Sequence, residues 1–219
     1  MIRRELPANT ALTRLRFRWM ALSGAGFRRV WNWGTSRAAL WPGTREAARF
    51  GTFGAGSLMC FPWDSLVNPQ AIHLGESTLI APHVVLSAGW MPDQPGLADR
   101  IVTIGDRCLI GRGSSIVGHE SIVIGDDVWT GHQCHVTDMN HGYERTDIPI
   151  SQQHQDPRPV SIGAGSWLGH GVIVLPGANI GRGVTVGAGS VVTGDLPDHC
   201  IAVGAPARVI HRVGDDTVG

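Results

Sequence analysis

The sequence has 219 residues, with 18 basic and 18 acidic side chains and a formal net charge of zero. This overall charge gives no reason to expect a nucleic-acid partner. All 18 basic residues are arginines, and the 30 glycines are about twice the usual proportion. We recognise neither a signal peptide nor a long apolar stretch, which favours a cytoplasmic protein.

Residues 1–50 differ in composition from the rest of the chain. They hold ten of the arginines, four of the eight tryptophans and only two acidic residues. Four apolar side chains are spaced as on one face of a helix: Leu12, Leu15, Trp19 and Leu22. We expect Gly24 and Gly26 to end this helix. The segment is predicted to cap the fold or contact another subunit. A membrane-surface helix is the alternative. We favour the first two roles because the arginines are not confined to one face.

Residues 51–212 are predicted to form one domain, because an apolar residue recurs there every six positions. The clearest run is Ile162, Leu168, Val174, Ile180, Val186 and Val192. A period of six fits neither a helix nor an alternating strand, so it predicts an all-β, parallel solenoid of three-sided coils. Glycine after the apolar residue, as at Gly163, would relieve the corner that follows.

Two loops interrupt the repeat, near residues 87–101 and 137–159. Loops that leave a solenoid often determine specificity. Trp90 in the first loop could stack on a sugar face or pack under its own loop. The second loop contains Asp138, His141 and Glu144. A polar tail, residues 213–219, follows the domain.

The four cysteines, Cys60, Cys108, Cys134 and Cys200, form no C-x-x-C pair. Cys108 and Cys134 occupy a hexad position suited to a small buried side chain. We expect reduced thiols in the core.

These hexads resemble those of the hexapeptide-repeat acetyltransferases over about residues 70–212. The resemblance implies a left-handed parallel β-helix, with a short helical extension at the N-terminus here. The stretch from Asp138 to Glu144 is similar to the Asp-x-x-His-Gly-Tyr-Glu loop of O-acetyltransferases that modify capsular, colanic-acid and lipopolysaccharide sugars. It implies that His141 is the catalytic base. It also implies direct transfer of an acetyl group from acetyl-CoA to a glycan hydroxyl.

The same resemblance implies where the donor binds, between the subunits of a homotrimer. The residues expected to contact acetyl-CoA are His170, Ala188, Thr193, Gly194 and Arg208. The residues expected near the acceptor are Trp90, Asp138 and Glu144. Either carboxylate could instead orient His141 or hold the loop. His132 and His135 are expected to be wall or interface residues.

Two departures from the galactoside acetyltransferases bear on the substrate. Those enzymes usually have a lysine where this chain has Gly194, so a phosphate contact could be missing or supplied by Arg212. They carry a Tyr-x-Asn acceptor stretch where this chain reads Leu109-Ile110-Gly111. The polysaccharide-modifying branch is therefore the closer resemblance.

Three alternatives remain at this point. The same His141 could serve an N-acyltransferase acting on an amino sugar. A zinc-dependent γ-class carbonic anhydrase has the same architecture, but the ten histidines include no pair five positions apart, so we expect no metal. A non-enzymatic scaffold trimer would keep the hexads without needing His141.

Overall fold

The computed structural model describes residues 11–214, and the chain divides after Ala38 into two compact units. The first unit contains helix α1 (Ala11–Ala38), 28 residues long. Among the described residues, no helix combines the length and the apolar character that crossing a membrane requires. The side chains of Leu12 and Leu15, half of the predicted apolar stripe, lie outside the described residues, as does the tail from residue 215.

The prediction that Gly24 and Gly26 end the helix is wrong. Helix α1 continues through both glycines for twelve further residues, from Phe27 to Ala38. An interior glycine costs only about 1 kcal/mol relative to alanine, and no proline occurs between Pro7 and Pro42 to break the helix. Two glycines alone therefore do not terminate it.

The second unit is built from twenty short strands. The first ten are β1 (Thr52–Phe53), β2 (Leu58–Met59), β3 (Ser65–Val67), β4 (Ile72–Leu74), β5 (Leu79–Ile80), β6 (Val85–Ala88), β7 (Val102–Ile104), β8 (Leu109–Ile110), β9 (Ser115–Gly118) and β10 (Ile122–Ile124). The others are β11 (Trp129–Thr130), β12 (His135–Thr137), β13 (Val160–Ile162), β14 (Trp167–Leu168), β15 (Ile173–Val174), β16 (Asn179–Ile180), β17 (Thr185–Val186), β18 (Val191–Val192), β19 (Cys200–Gly204) and β20 (Ala207–Arg212). Among the described residues there are also three single-turn 3₁₀ helices: Ala47–Arg49 before β1, Pro69–Ala71 between β3 and β4, and Ile150–Gln152 between β12 and β13.

The strands form three sheets, which the chain visits in turn. Sheet I has the order β1-β4-β7-β10-β13-β16, and sheet II the order β2-β5-β8-β11-β14-β17-β19-β20. Sheet III has the order β3-β6-β9-β12-β15-β18. Each pairing is parallel except that of β19 with β20, which is antiparallel. The result is a stack of three-sided coils, as the period of six predicts.

The interior of the stack is filled by the apolar residue of each hexad. Ile162, Leu168 and Val174 occupy successive sheets of one coil and are at most 2% exposed. Ile180, Val186 and Val192 repeat this arrangement one coil later. Because each coil contributes only one such residue per side, the core is continuous only when coils stack.

Glycines serve two different purposes at the corners. A Cβ on Gly163 would come within 2.5 Å of the backbone of Gly181 in the next coil. Gly165, two residues later, has φ +72° and open space around it. The first glycine therefore permits close stacking and the second permits the left-handed turn.

Residues 39–50 belong to the second unit and cover its first coil. Leu40 exchanges two backbone hydrogen bonds with Met59, at 2.9 and 3.1 Å. Leu40, Ala47 and Phe50 are buried, and Leu40 and Phe50 pack in the main core. The sequence boundary at residue 50 therefore differs from the structural one after Ala38, because this short segment packs as a cap.

The cysteines agree with the expectation of core thiols. Cys108, Cys134 and Cys200 are buried, Cys60 is half-buried, and all four are unpaired. Burial raises the pKa of the Cys60, Cys108, Cys134 and Cys200 thiols.

Candidate active site

The chemistry-bearing residues lie at two corners of the triangular coil. We call the turn from sheet II to sheet III the II–III corner, and the turn from sheet III to sheet I the III–I corner. Both long loops leave at the III–I corner, one between β6 and β7 and the other between β12 and β13. Residues from both loops come together there.

At the III–I corner, Trp90 lies between two imidazoles. The centre of its ring is 4.7 Å from that of His119 and 5.7 Å from that of His154. Its backbone N–H donates to Oε1 of Gln94 at 2.6 Å. Trp90, His119 and His154 line a groove of ≈ 520 Å³, and Trp90 remains 47% exposed. The ring thus contacts both imidazoles, while about half of the residue remains exposed to solvent.

Asp138 is fully buried beneath this groove and its carboxylate is saturated with donors. Oδ1 and Oδ2 accept the backbone N–H of His119 at 2.9 and 3.0 Å. Oδ2 also accepts the N–H groups of Glu120 and Ser121, at 2.8 and 2.9 Å. Burial by itself would raise the pKa of Asp138, but these bonds and the one from the His119 ring outweigh it and hold the pKa below its ordinary value.

The ionised Asp138 determines the tautomer of His119. The distance from its Oδ1 to Nδ1 of His119 is 3.2 Å. Because an ionised carboxylate can only accept, Nδ1 carries the proton and Nε2 is left as an acceptor in the neutral ring. An imidazole held in this way can take a proton from a hydroxyl.

The sequence leaves three roles open for Asp138: contacting the acceptor, orienting His141 or holding the loop. Its side chain has no exposed surface and its oxygens are bonded to residues 119–121. The carboxylate therefore anchors the loop to the preceding coil, and the expectation that it contacts the acceptor is wrong. Sequence reasoning also missed His119; the available signal was the two-residue slip of the hexads at Gly118-His119.

His141 lies on the second loop and its side chain is exposed. The loop around it is organised by Gln153, which is 8% exposed. The Gln153 amide donates to the carbonyl of Arg145 at 2.7 Å and accepts from the N–H of Arg145 at 3.0 Å. The N–H of Gly142 donates to the carbonyl of Gln153 at 3.2 Å. The backbone beside His141 is therefore fixed although the imidazole faces solvent.

A second groove runs along the same loop. It is lined by Tyr143, Glu144, Arg145 and Gln155 among others. Tyr143 is 74% exposed. Oε1 of Gln155 is buried without a hydrogen-bond partner among the described residues. An unpaired buried acceptor of this kind can accept a hydrogen bond from a ligand hydroxyl or amine.

The II–III corner holds two of the predicted donor residues in one column. His170 and Ala188 occupy equivalent positions of successive coils, with the Gly189 N–H donating to the His170 carbonyl at 2.8 Å. His132 lies one coil earlier, its ring centre 6.3 Å from that of His170. Both side chains line a groove with Arg112 and His83. His132 is therefore a wall residue of this groove.

The other predicted donor residues are divided between corners. Arg208 lies on β20, opposite Val203 in the neighbouring strand, and its side chain is exposed. A Cβ on Gly187 would come within 2.7 Å of Val203, which places Arg208 close to the end of the column that Ala188 belongs to. Thr193 and Gly194 follow β18 and so lie at the III–I corner instead.

His135 is partly buried in sheet III. The ring of His135 shares a hydrogen bond of 2.6 Å with the Ser115 hydroxyl, and burial lowers the pKa of His135. Within residues 11–214, no three His, Cys, Asp or Glu side chains are placed to hold a metal ion.

Comparison with known families identifies the repeat. Residues 159–194 match the bacterial transferase hexapeptide model of six repeats, and residues 101–129 match the hexapeptide repeat of succinyl-transferase. Both stretches therefore carry hexapeptide repeats. The fold of the chain, a left-handed parallel β-helix preceded by a helix, is the predicted one.

Proteins with similar sequences carry acetyltransferase names. Probable acetyltransferase Rv3034c of Mycobacterium tuberculosis is 34% identical over 139 residues, which cover 64% of this chain and 41% of the relative. Putative lipopolysaccharide biosynthesis O-acetyl transferase WbbJ of Escherichia coli is 35% identical over 124 residues, covering 53% and 63%. The match thus spans less than two thirds of either relative.

Solved structures show the same fold. The N-acyltransferase AntD from Bacillus cereus, in complex with dTDP-4-amino-4,6-dideoxyglucose and coenzyme A, superposes with a TM-score of 0.65. The match covers 76% of this chain and 86% of AntD at 24% sequence identity. At this identity the likeness concerns the fold.

Proposed function

We propose that this protein transfers an acetyl group from acetyl-CoA to a hydroxyl of a sugar or polysaccharide precursor, with His141 as the general base. The observation that carries the proposal is the exposed imidazole of His141 on a loop whose backbone is fixed by Gln153. The acetyltransferase relatives and the O-acetyl transferase WbbJ support the reaction class and the hydroxyl acceptor.

In the proposed step, His141 removes the proton from the acceptor hydroxyl as the oxygen attacks the thioester carbon. The new C–O bond forms, the C–S bond breaks, and the thiolate of CoA leaves. The proton held by His141 then passes to the leaving thiolate, which yields the acetyl ester and free CoA. A backbone N–H at a corner would stabilise the oxyanion that develops on the carbonyl.

The acceptor is proposed to occupy the III–I corner. There, the exposed part of the Trp90 ring can contact a sugar ring, and the groove along the second loop presents Tyr143, Glu144 and the unpaired oxygen of Gln155. A sugar offers both an apolar ring face and several hydroxyl donors, so it fits both features.

The donor is proposed to lie along the II–III corner. His170 and Ala188 would line the pantetheine channel, and Arg208 would bind a phosphate of CoA through its paired donors. Thr193 and Gly194 would contribute from the III–I corner. In one chain, the width of sheet III separates His141 from the II–III corner.

This separation supports a homotrimer in which the active site forms between two subunits. Sheet II also presents an apolar outer face that a neighbouring subunit could cover. Its outward residues are Leu58, Leu79, Leu109, Trp129, Trp167, Thr185 and Ile201. Trp129 and Trp167 are 57% and 55% exposed, although they stand side by side in the sheet. Sheet I presents mostly polar residues instead.

The test is release of CoA thiol from acetyl-CoA with a panel of neutral sugars, amino sugars and nucleotide-linked sugars. Acetyl ester on a hydroxyl, identified by mass spectrometry and by its lability to mild base, is the expected product. If the product is instead a stable amide on an amino sugar, the reaction is N-acylation and the proposed hydroxyl acceptor is wrong. No thiol release with any acceptor, from a trimer that binds CoA, would overturn the proposal.

His119 is the alternative base within the same proposal. Its Nε2 is left as an acceptor by the Asp138 pairing, and its ring lies in the groove beside Trp90. Substituting each histidine in turn and measuring kcat distinguishes the two candidate bases.

A further inference from the structure

Helix α1 exposes a dense group of large apolar side chains. All eight of its described large apolar side chains are more than half exposed: Phe17, Trp19, Met20, Leu22, Phe27, Val30, Trp31 and Trp33. Three of them are tryptophans, which prefer the boundary between water and the apolar part of a bilayer. In the second unit, by contrast, the aliphatic residues of the hexads are buried.

The helix has two opposite faces. At about 100° per residue, five of the apolar side chains fall within about 120° of the circumference. These are Trp19, Met20, Phe27, Val30 and Trp31. Arg18, Arg28 and Arg29 fall within about 100° on the opposite side. Arg37 falls within the apolar sector, so the described arginines are not all confined to one face, as the sequence indicates.

The charge of the helix has one sign. The sequence of α1 contains six arginines and no acidic residue, and no Asp or Glu occurs from residue 6 to residue 45. A bundle of copies of this helix could bury the apolar sector, but it would leave the arginines without a negative partner, because α1 contains no acidic residue. An anionic lipid surface supplies the missing negative charge and accepts the apolar face at the same time.

We propose that helix α1 docks this protein on the surface of an anionic lipid bilayer, with the apolar sector buried at the headgroup boundary and the arginines contacting lipid phosphates. This inference rests on the helix alone and is independent of the proposed acetyl transfer. Nucleic acid also offers phosphates, but it has no apolar layer that would accept the exposed phenylalanine, valine and methionine side chains.

The test uses the full chain and flotation with phosphatidylcholine vesicles, with and without phosphatidylglycerol. We expect binding to vesicles that contain phosphatidylglycerol, and loss of most of it at high ionic strength. Arg28→Gln with Arg29→Gln should weaken binding roughly 30-fold, the combined effect of two arginine contacts with an anionic surface. Phe27→Ser with Trp31→Ser should abolish it.

Asn32→Gln is the matched control, because Asn32 lies on the arginine face without charge. It should bind like the parent chain. Circular dichroism should show equal helix content in all variants, and thiol release should be unchanged, since none of these residues lies at the proposed active site.

Three outcomes would overturn the inference. One is equal retention of the parent and the Phe27→Ser, Trp31→Ser variant by vesicles. Another is that this variant loses its oligomeric state in light scattering, which would make α1 a subunit contact. The third is tight binding of a duplex oligonucleotide with no vesicle binding.

Discussion

Asp138 accepts a hydrogen bond from Nδ1 of His119 across 3.2 Å, although the Asp138 side chain has no exposed surface. The two residues are nineteen positions apart and lie on successive coils. The carboxylate therefore performs two tasks: it holds the start of the second loop against the coil below, and it selects the tautomer of the neutral His119 ring.

The first prediction concerns that carboxylate. Asp138→Asn keeps the shape of the side chain but offers a single acceptor oxygen and places NH₂ donors against backbone N–H groups. Hydrogen bonds to charged groups contribute about 1.5–3 kcal/mol each. We expect the free energy of unfolding to fall by at least about 2 kcal/mol in urea titrations. Asp156→Asn, at a side chain that is 96% exposed, is the control and should change it little.

The stability from Asp138 should also depend on pH. Its folded pKa is depressed, so the stabilisation is complete above the ordinary aspartate pKa of about 3.9 and is lost as pH falls below it through the folded value. Urea midpoints between neutral and acid pH measure this. The parent and Asp138→Asn curves should converge at the acid end; a constant gap at every pH would contradict it.

The second prediction separates the two candidate bases. His141→Ala should lower kcat by about 10²–10⁴-fold without lowering the melting temperature, because the exposed imidazole supports no packing. His119→Ala should change kcat by less than about tenfold. Steady-state thiol release gives both numbers. If the ranking is reversed, His119 is the base and His141 is not.

The third prediction concerns the donor. Arg208→Ala should raise the KM for acetyl-CoA far more than the KM for the acceptor, because the guanidinium is proposed to contact only the nucleotide phosphates. Arg182→Ala is the matched control, since Arg182 is exposed on a corner between sheets I and II. Equal effects of the two variants on both constants would remove Arg208 from the donor site.

The fourth prediction concerns the subunit seam. If His141 and Arg208 act on one substrate from different subunits, mixing His141→Ala chains with Arg208→Ala chains should restore activity. Some seams then combine an intact His141 from one subunit with an intact Arg208 from its neighbour. The measurement is thiol release at limiting acetyl-CoA after co-refolding. No gain over the unmixed variants would place both residues in one subunit.

The repeat could be predicted from the sequence because each hexad is a local pattern. Ile162 and Leu168 are buried because they occupy the apolar position of the hexad, and this position recurs in every coil. The loops appear where the six-residue spacing fails. The contact between His119 and Asp138 could not be predicted in this way. It joins two positions outside the regular hexads, and their separation depends on how many residues each coil contains.

The helix illustrates the opposite error. Gly24 and Gly26 are local stop signals, yet a helix ends only where the combined cost of continuing exceeds its gain. Without a proline or a capping arrangement after Gly26, twelve more residues remain helical.

The last strand has a consequence for how these molecules behave in concentrated solution. A stack of parallel coils presents an unpaired strand edge at its ends, and such edges invite further stacking into fibres. β20 reverses direction along β19 and so occupies the final edge of sheet II. With Arg208 and Arg212 on that strand, an incoming coil would meet an antiparallel, positively charged border. Removing β20 should therefore turn a discrete particle into one prone to end-to-end polymerisation.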